Sequence, residues 1–132
     1  MIFSEKFGYT PTIKSLEGFE NHSEKMMFED VQVAFIHAEK EDEVNENPVE
    51  KKLLKNLKWL AGKNGTKRII LHSFAHLSES KASPEFTKSL FDRVEKRLFD
   101  TGYEVFQTPF GYFLDLEVNA PGQSLARVFK SF

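Results

Sequence analysis

Two rhythms of apolar and polar residues run along the chain. The clearest is Val31-Gln32-Val33-Ala34-Phe35-Ile36-His37-Ala38. Its period of two predicts a strand, with Val31, Val33, Phe35 and His37 on one face and Gln32, Ala34, Ile36 and Ala38 on the other. Lys67 to His72 is a second, β-branched run that reads as a buried strand. Tyr103–Gln107 and Tyr112–Val118 read as two more, the latter placing Tyr112, Leu114, Leu116 and Val118 on one face. Near the start, Ile2, Phe3, Phe7, Tyr9, Thr10, Thr12 and Ile13 suit two short extended pieces interrupted by Gly8 and Pro11. Residues 16–30 are polar, with room for a short helix near Ser23–Phe28.

The other rhythm is helical. Leu53, Leu54, Leu57, Leu60 and Ala61 form one stripe, with lysines 51, 52, 55 and 58 outside it. Asn47 as N-cap, Pro48 in the first turn and Glu50 reaching back predict its start, and Asn64-Gly65 its end. A second helix follows from Ser83 and Pro84, buries Phe86, Leu90, Phe91, Val94 and Leu98, and closes at Gly102. Pro121-Gly122 opens a short terminal helix containing Leu125, Ala126, Val128 and Phe129. The predicted order is β-β-β-α-β-α-β-β-α. It makes one domain over residues 1–132, α/β in class, a mixed sheet with helices packed on it.

Composition narrows the chemistry. Of 132 residues, 40% are hydrophobic and 14 are Phe, enough for an aromatic core without metal or disulfide staples. There is no cysteine, which excludes thiol catalysis and zinc–thiolate sites and fits an intracellular protein. The N-terminus has no long apolar run, so neither signal peptide nor membrane anchor is expected. A net charge of −2 does not describe a surface that grips nucleic acid by charge everywhere. The cations Lys51, Lys52, Lys55, Lys58, Lys63, Lys67 and Arg68 do form a local basic cluster, either a phosphate-facing patch or the solvated side of a helix. The acidic run Glu39–Glu46 lacks calcium-loop spacing and reads as a solvated loop.

His76 is the main catalytic candidate. It follows a buried strand and precedes a helix, where α/β folds place their sites. An imidazole there is suited to act as a base or to orient a water or hydroxyl. It is equally suited to holding a loop carbonyl. His37 and His72 lie near other strand ends, but the three histidines have no recognised metal-ligand spacing. Thr108-Pro109-Phe110-Gly111-Tyr112 offers either a pocket wall with close backbone approach or a turn whose Phe plugs the core. No phosphate-binding glycine motif or nucleophile elbow is present.

The segments VAFIHAEKEDE from Val33, SFAHLSES from Ser73 and GYEVFQTPFGYFLDLEV from Gly102 together resemble the editing domain of archaeal threonyl-tRNA synthetases. The resemblance implies the D-aminoacyl-tRNA deacylase-like fold. It implies hydrolysis of the ester that joins a wrong amino acid, serine or a D-amino acid, to the tRNA 3′ end. It further implies a cytoplasmic homodimer, with no cofactor or metal and with a synthetase as possible partner. Carried over position by position, the family's histidine is His76 and its small neighbour is Ala75. Its backbone contact is Ala38, beside Glu39, and its wall is Pro109, Phe110 and Gly111. The family's proline is Ser73 here, its second tyrosine Phe113, its lysine Leu114, and its acidic residue in the last helix Arg127. Two functions follow: a free-standing deacylase, or a module that binds the tRNA end without hydrolysing it.

Overall fold

The computed structural model describes all residues, 1–132. Its strands are β1 (Ile2–Lys14), β2 (Met26–Ile36), β3 (Arg68–Ser73), β4 (Glu104–Gln107) and β5 (Tyr112–Asn119), with helices α1 (Glu46–Lys63) and α2 (Pro84–Asp100). The five strands form one mixed sheet in the order β4-β3-β2-β1-β5. β2, β3 and β4 run parallel, while β1 is antiparallel to both of its neighbours. The α/β class holds. No helix is long and apolar enough to cross a membrane.

Both helices lie on one face of the sheet. Leu53, Leu57 and Ala61 of α1 and Leu90, Phe91, Val94 and Leu98 of α2 pack on Ala34, Ile69 and Leu71. The two helices are also tied by charge. Glu50, buried on α1, accepts hydrogen bonds from Arg93 and Arg97 of α2, each at 2.7 Å, and Arg93 also pairs with Glu46. Burial pushes the Glu50 carboxyl up, but the two guanidinium hydrogen bonds outweigh it and hold the group below the usual carboxylate range.

The other face is closed by the sheet itself. Gln107 lies level with Leu71 and Ala34, one residue beyond the Ile2–Val33 pair, whereas Tyr112 lies opposite Lys14 at the far end of β1. In a flat sheet those points are roughly 40 Å apart along the strands. The connection is only residues 108–111, and five extended residues reach about 18 Å. The sheet therefore folds over on itself. Its corner is at Glu5-Lys6 and Glu29-Asp30, all exposed, with Asp30 at φ 52°. Inside the fold-over, Phe28 of β2 reaches Phe106 of β4, two strands away, with ring centroids 4.8 Å apart. Phe7, Val31, Val33 and Ile70 fill the rest of this second core.

Several expected elements change under tertiary pressure. Residues 2–14 form one strand, not two pieces. Pro11 sits where the β1–β5 register shifts, and the β2 side of β1 is already unpaired beyond Tyr9, so its missing N–H leaves no gap in the ladder. No helix forms at Ser23–Phe28. β2 starts at Met26 because Phe28 is drawn into the fold-over core. β2 stops at Ile36, leaving His37 and Ala38 outside it. α1 begins at Glu46 after Asn45, not after Asn47, because its first turn is held by Arg93. Pro48 still falls in that turn, where no N–H is needed, and Glu50 turns to the arginines instead of back to a cap. The second start is as expected: the Ser83 hydroxyl accepts from the Phe86 N–H at 3.1 Å.

The terminal helix shrinks to a 3-10 turn, Ser124–Ala126. Arg127 and Val128 are extended beside Met1 and Ile2, where Val128 N–H donates to the Met1 carbonyl at 2.9 Å. β5 pairs with β1 only from Lys6 onward. The first residues of β1 thus have free backbone groups, and the tail satisfies them. Arg127 is accordingly not helical.

Candidate functional site

A cavity of about 590 Å³ opens at the C-terminal ends of β2 and β3, within the range that holds a small ligand. Ala34, Phe35 and Ile36 form its floor, Val49, Leu53 and Asn56 of α1 one side, and Phe74, Leu77 and Ser78 another. Met1, Ile2 and the segment from Arg127 to Phe132 complete it. The polar groups in this mainly apolar wall include Glu39, Asp42, Ser78, Arg127 and Lys130. Two carboxylates, one guanidinium and one ammonium allow the wall to meet a cation at one place and an anion at another.

The loop between β3 and α2 is fixed to the segment after β2 by a ladder of hydrogen bonds. The Leu77 N–H donates to His37 Nδ1 at 3.1 Å, which puts the ring proton on Nε2, and Nε2 donates to the Ser80 carbonyl at 2.7 Å. Ser78 Oγ donates to the Glu39 carboxylate at 2.6 Å, a short charge-assisted bond. Lys40 N–H reaches Ser80 Oγ at 3.1 Å, Ala82 N–H the Ala38 carbonyl at 3.0 Å, and Ser83 N–H the Glu43 carboxylate at 3.1 Å. The acidic run is thus not a loose solvated loop. It forms a 3-10 turn over Lys40–Glu43 that pins the opposite loop.

The structure places the candidate residues in two separate neighbourhoods. Ala38, Glu39 and Arg127 line the cavity. Ser73 ends β3, half-buried, and Ala75 and His76 follow on the exposed part of the loop that supplies Phe74, Leu77 and Ser78 to the wall. The His76 ring meets the Phe74 ring edge to face, centroids 4.9 Å apart. Pro109 and Phe110 lie elsewhere, buried. Phe110 sits between Phe19, at 4.8 Å, and Phe91, at 6.3 Å. Gly111, at φ 81°, turns the chain, and its carbonyl accepts from the N–H groups of Ser15, at 2.6 Å, and Leu16, at 3.2 Å. Phe113 is exposed on β5, and Leu114 is half-buried opposite Pro11.

The three strand-end histidines do not converge. His72 is buried, its Nδ1 2.8 Å from the Thr108 hydroxyl and its ring 5.0 Å from that of Phe35. Burial lowers its pKa to about 4. No group of three or more His, Cys, Asp or Glu has the geometry to hold a metal ion. Asp42, Ser78 and the anchoring role of His37 were not singled out in the sequence. The available signal was an acidic run immediately after the best strand, at the strand end where loops gather.

A folded-over mixed sheet with a ligand-sized hollow at its parallel strand ends defines an α/β domain shaped to receive one small group. Residues 1–132 match the archaea-specific editing domain of threonyl-tRNA synthetase, and the chain belongs to that family. It is 31% identical over 134 residues to a threonine–tRNA ligase of Thermococcus kodakarensis, covering 99% of this chain and 21% of the relative. It is 30% identical over 119 residues to that of Pyrococcus horikoshii, covering 90% and 19%. It is 28% identical over 133 residues to that of Methanosphaera stadtmanae, covering 99% and 22%. The chain spans about a fifth of the length of these relatives. Family membership implies a proofreading role.

Proposed function

We propose that residues 1–132 act as one domain that hydrolyses the ester of a misacylated tRNA, releasing serine or a D-amino acid. The observation that carries this is the cavity at the ends of β2 and β3, walled by the FAHLS loop, in a chain of this family. Water oxygen adds to the ester carbonyl, the bond to the ribose oxygen breaks, and a proton passes to that oxygen. The products are the free amino acid and an intact tRNA end. His76 positions the ribose hydroxyl or the water. Glu39 and Asp42 face the α-ammonium group, and Arg127 faces a phosphate. Ala38 and Ala75 supply backbone contact. The reaction takes place in the cytoplasm, where tRNA is charged, alone or beside a synthetase. The exposed Phe113, Leu116 and Val118 on edge strand β5 support a homodimer. Seryl-tRNA(Thr) and a set of D-aminoacyl-tRNAs are the test substrates. Release with none of them above buffer removes the proposal.

A second reading, binding without hydrolysis, is favoured by three local features. Leu114 brings no charge where the family has lysine, and Arg127 brings the opposite charge to the family's acid. The Gly111 carbonyl is already used by Ser15 and Leu16. A non-hydrolysable aminoacyl-adenosine analogue that binds while no ester is cleaved selects this reading.

A further inference from the structure

The two helices treat their cations in opposite ways. On α2, Lys88, Arg93, Lys96 and Arg97 each pair with a carboxylate. On α1, none of Lys51, Lys52, Lys55, Lys58 and Lys63 has a carboxylate within 4.0 Å, because every ion pair of the molecule lies elsewhere. At 100° per residue, these five lysines and Trp59 occupy one continuous outer stripe, opposite the buried leucines. Lys51 to Lys63 runs about 18 Å along the helix. Trp59 is 40% exposed, and Lys130 lies over its ring with Nζ 5.5 Å from the centroid. This chain has a net charge of −2, so such an unneutralised stripe is a local segregation of charge.

The stripe adjoins the cavity. Asn56 of α1 and Lys130 both line the cavity wall, and Lys130 is the residue that crosses to Trp59. Unpaired lysines beside a partly exposed indole fit a phosphate backbone followed by an unstacked base: ammonium groups meet phosphates, and the ring offers a stacking face.

We propose that the outer face of α1, with Trp59 and Lys130, docks the phosphate backbone of the RNA whose 3′ end enters the cavity. The inference rests on the tRNA-end reading above and names the surface that would carry the rest of the molecule. It explains how a slightly acidic domain holds a polyanion: the α1 lysines are left free while the cations of α2 are neutralised in place.

The test is the salt dependence of binding to an unmodified threonine tRNA transcript. Four proteins are compared: the unaltered chain, the variant K51E/K55E/K58E, the variant Trp59→Ala, and the charge-matched variant K6E/K25E/K96E on other surfaces. Losing three phosphate contacts lowers the slope of log K against log[salt] by about 2 to 3 and weakens binding about tenfold or more at low salt. The α1 variant shows both changes, and the control variant neither. Trp59→Ala weakens binding with the slope unchanged, since stacking carries no counterion release. Equal slopes for the α1 variant and the unaltered chain overturn the proposal, as does an equal loss in the control variant. The latter marks net charge alone. Loss of binding to heparin with no loss of binding to tRNA points to an acidic protein partner instead and also overturns it. Cleavage of a small aminoacyl-adenosine ester is measured beside each titration. If no protein cleaves it while the tRNA slope still responds to α1, the deacylase reading falls and the docking surface stands.

Discussion

The β3–α2 loop and the β4–β5 connector carry the two most distinctive motifs of the chain, and the fold uses them oppositely. The first, through Phe74-Ala75-His76-Leu77-Ser78, is open. It presents His76 to solvent and lends three side chains to the cavity. The second, Pro109-Phe110-Gly111, is closed. Its ring is clamped between Phe19 and Phe91, and its glycine carbonyl is bonded to Ser15 and Leu16. The contrast teaches that a motif can persist for folding as well as for chemistry. The connector is what a short chain crossing a folded-over sheet requires. His72 and Thr108 link the two regions, one just before the open loop and one at the start of the closed connector.

The largest expected effect breaks the closed side. Phe110→Ala leaves a hole between two aromatic rings and lowers stability by about 3 to 5 kcal/mol, read from the urea midpoint. A loss below about 1 kcal/mol would show the connector to be loosely held. Next is acid. The His72 pKa of about 4 lies below the 6.5 of an unfolded histidine, so the unfolded chain binds the proton first. Stability is full above pH 6.5 and falls by about 3 kcal/mol as pH drops toward 4. His72→Asn removes that decline. A further decline below about pH 4.3 remains, because the carboxylate of Glu50, held below its ordinary value, must then be protonated.

A smaller effect sharpens the open side. His37→Phe removes two hydrogen bonds that pin the loop and lowers stability by about 1 to 2 kcal/mol. Amide exchange at Leu77 quickens while exchange in the core strands does not. The smallest is His76→Ala, which changes stability by less than about 0.5 kcal/mol because the ring is exposed. In the deacylase reading it nonetheless slows ester cleavage. A stability loss as large as that of Phe110→Ala would move His76 to the structural side of the comparison.

Much of the framework was legible. The leucine stripe of α1, the Ser83-Pro84 start of α2, the period-two runs of β2 and β5 and the β-branched run of β3 all report local preferences that packing then agrees with. What was misread lay where distant residues overruled local signals. Pro11 looked like a strand breaker but falls at a bulge. Asn47 looked like a cap, but Arg93 holds Glu46 and Glu50 in the helix. The 121–129 segment looked helical, but the free start of β1 took Arg127 and Val128 into an extended pair. The candidate site divided in the same way. Ala38, Glu39 and Arg127 reached the cavity, while Phe110 went to the core.

Local sequence was enough to settle which residues alternate in β2 and β5, where the bodies of α1 and α2 lie and which face of each is buried, because periodicity and capping act over a few residues. The motifs also named the family. Tertiary structure alone decided that the sheet folds over, that the chain's first and last segments meet at one cavity, and which lysines keep their charge free. Those outcomes depend on partners tens of residues apart, such as Phe28 with Phe106 and Glu50 with Arg97. No window of local sequence contains both members of such a pair.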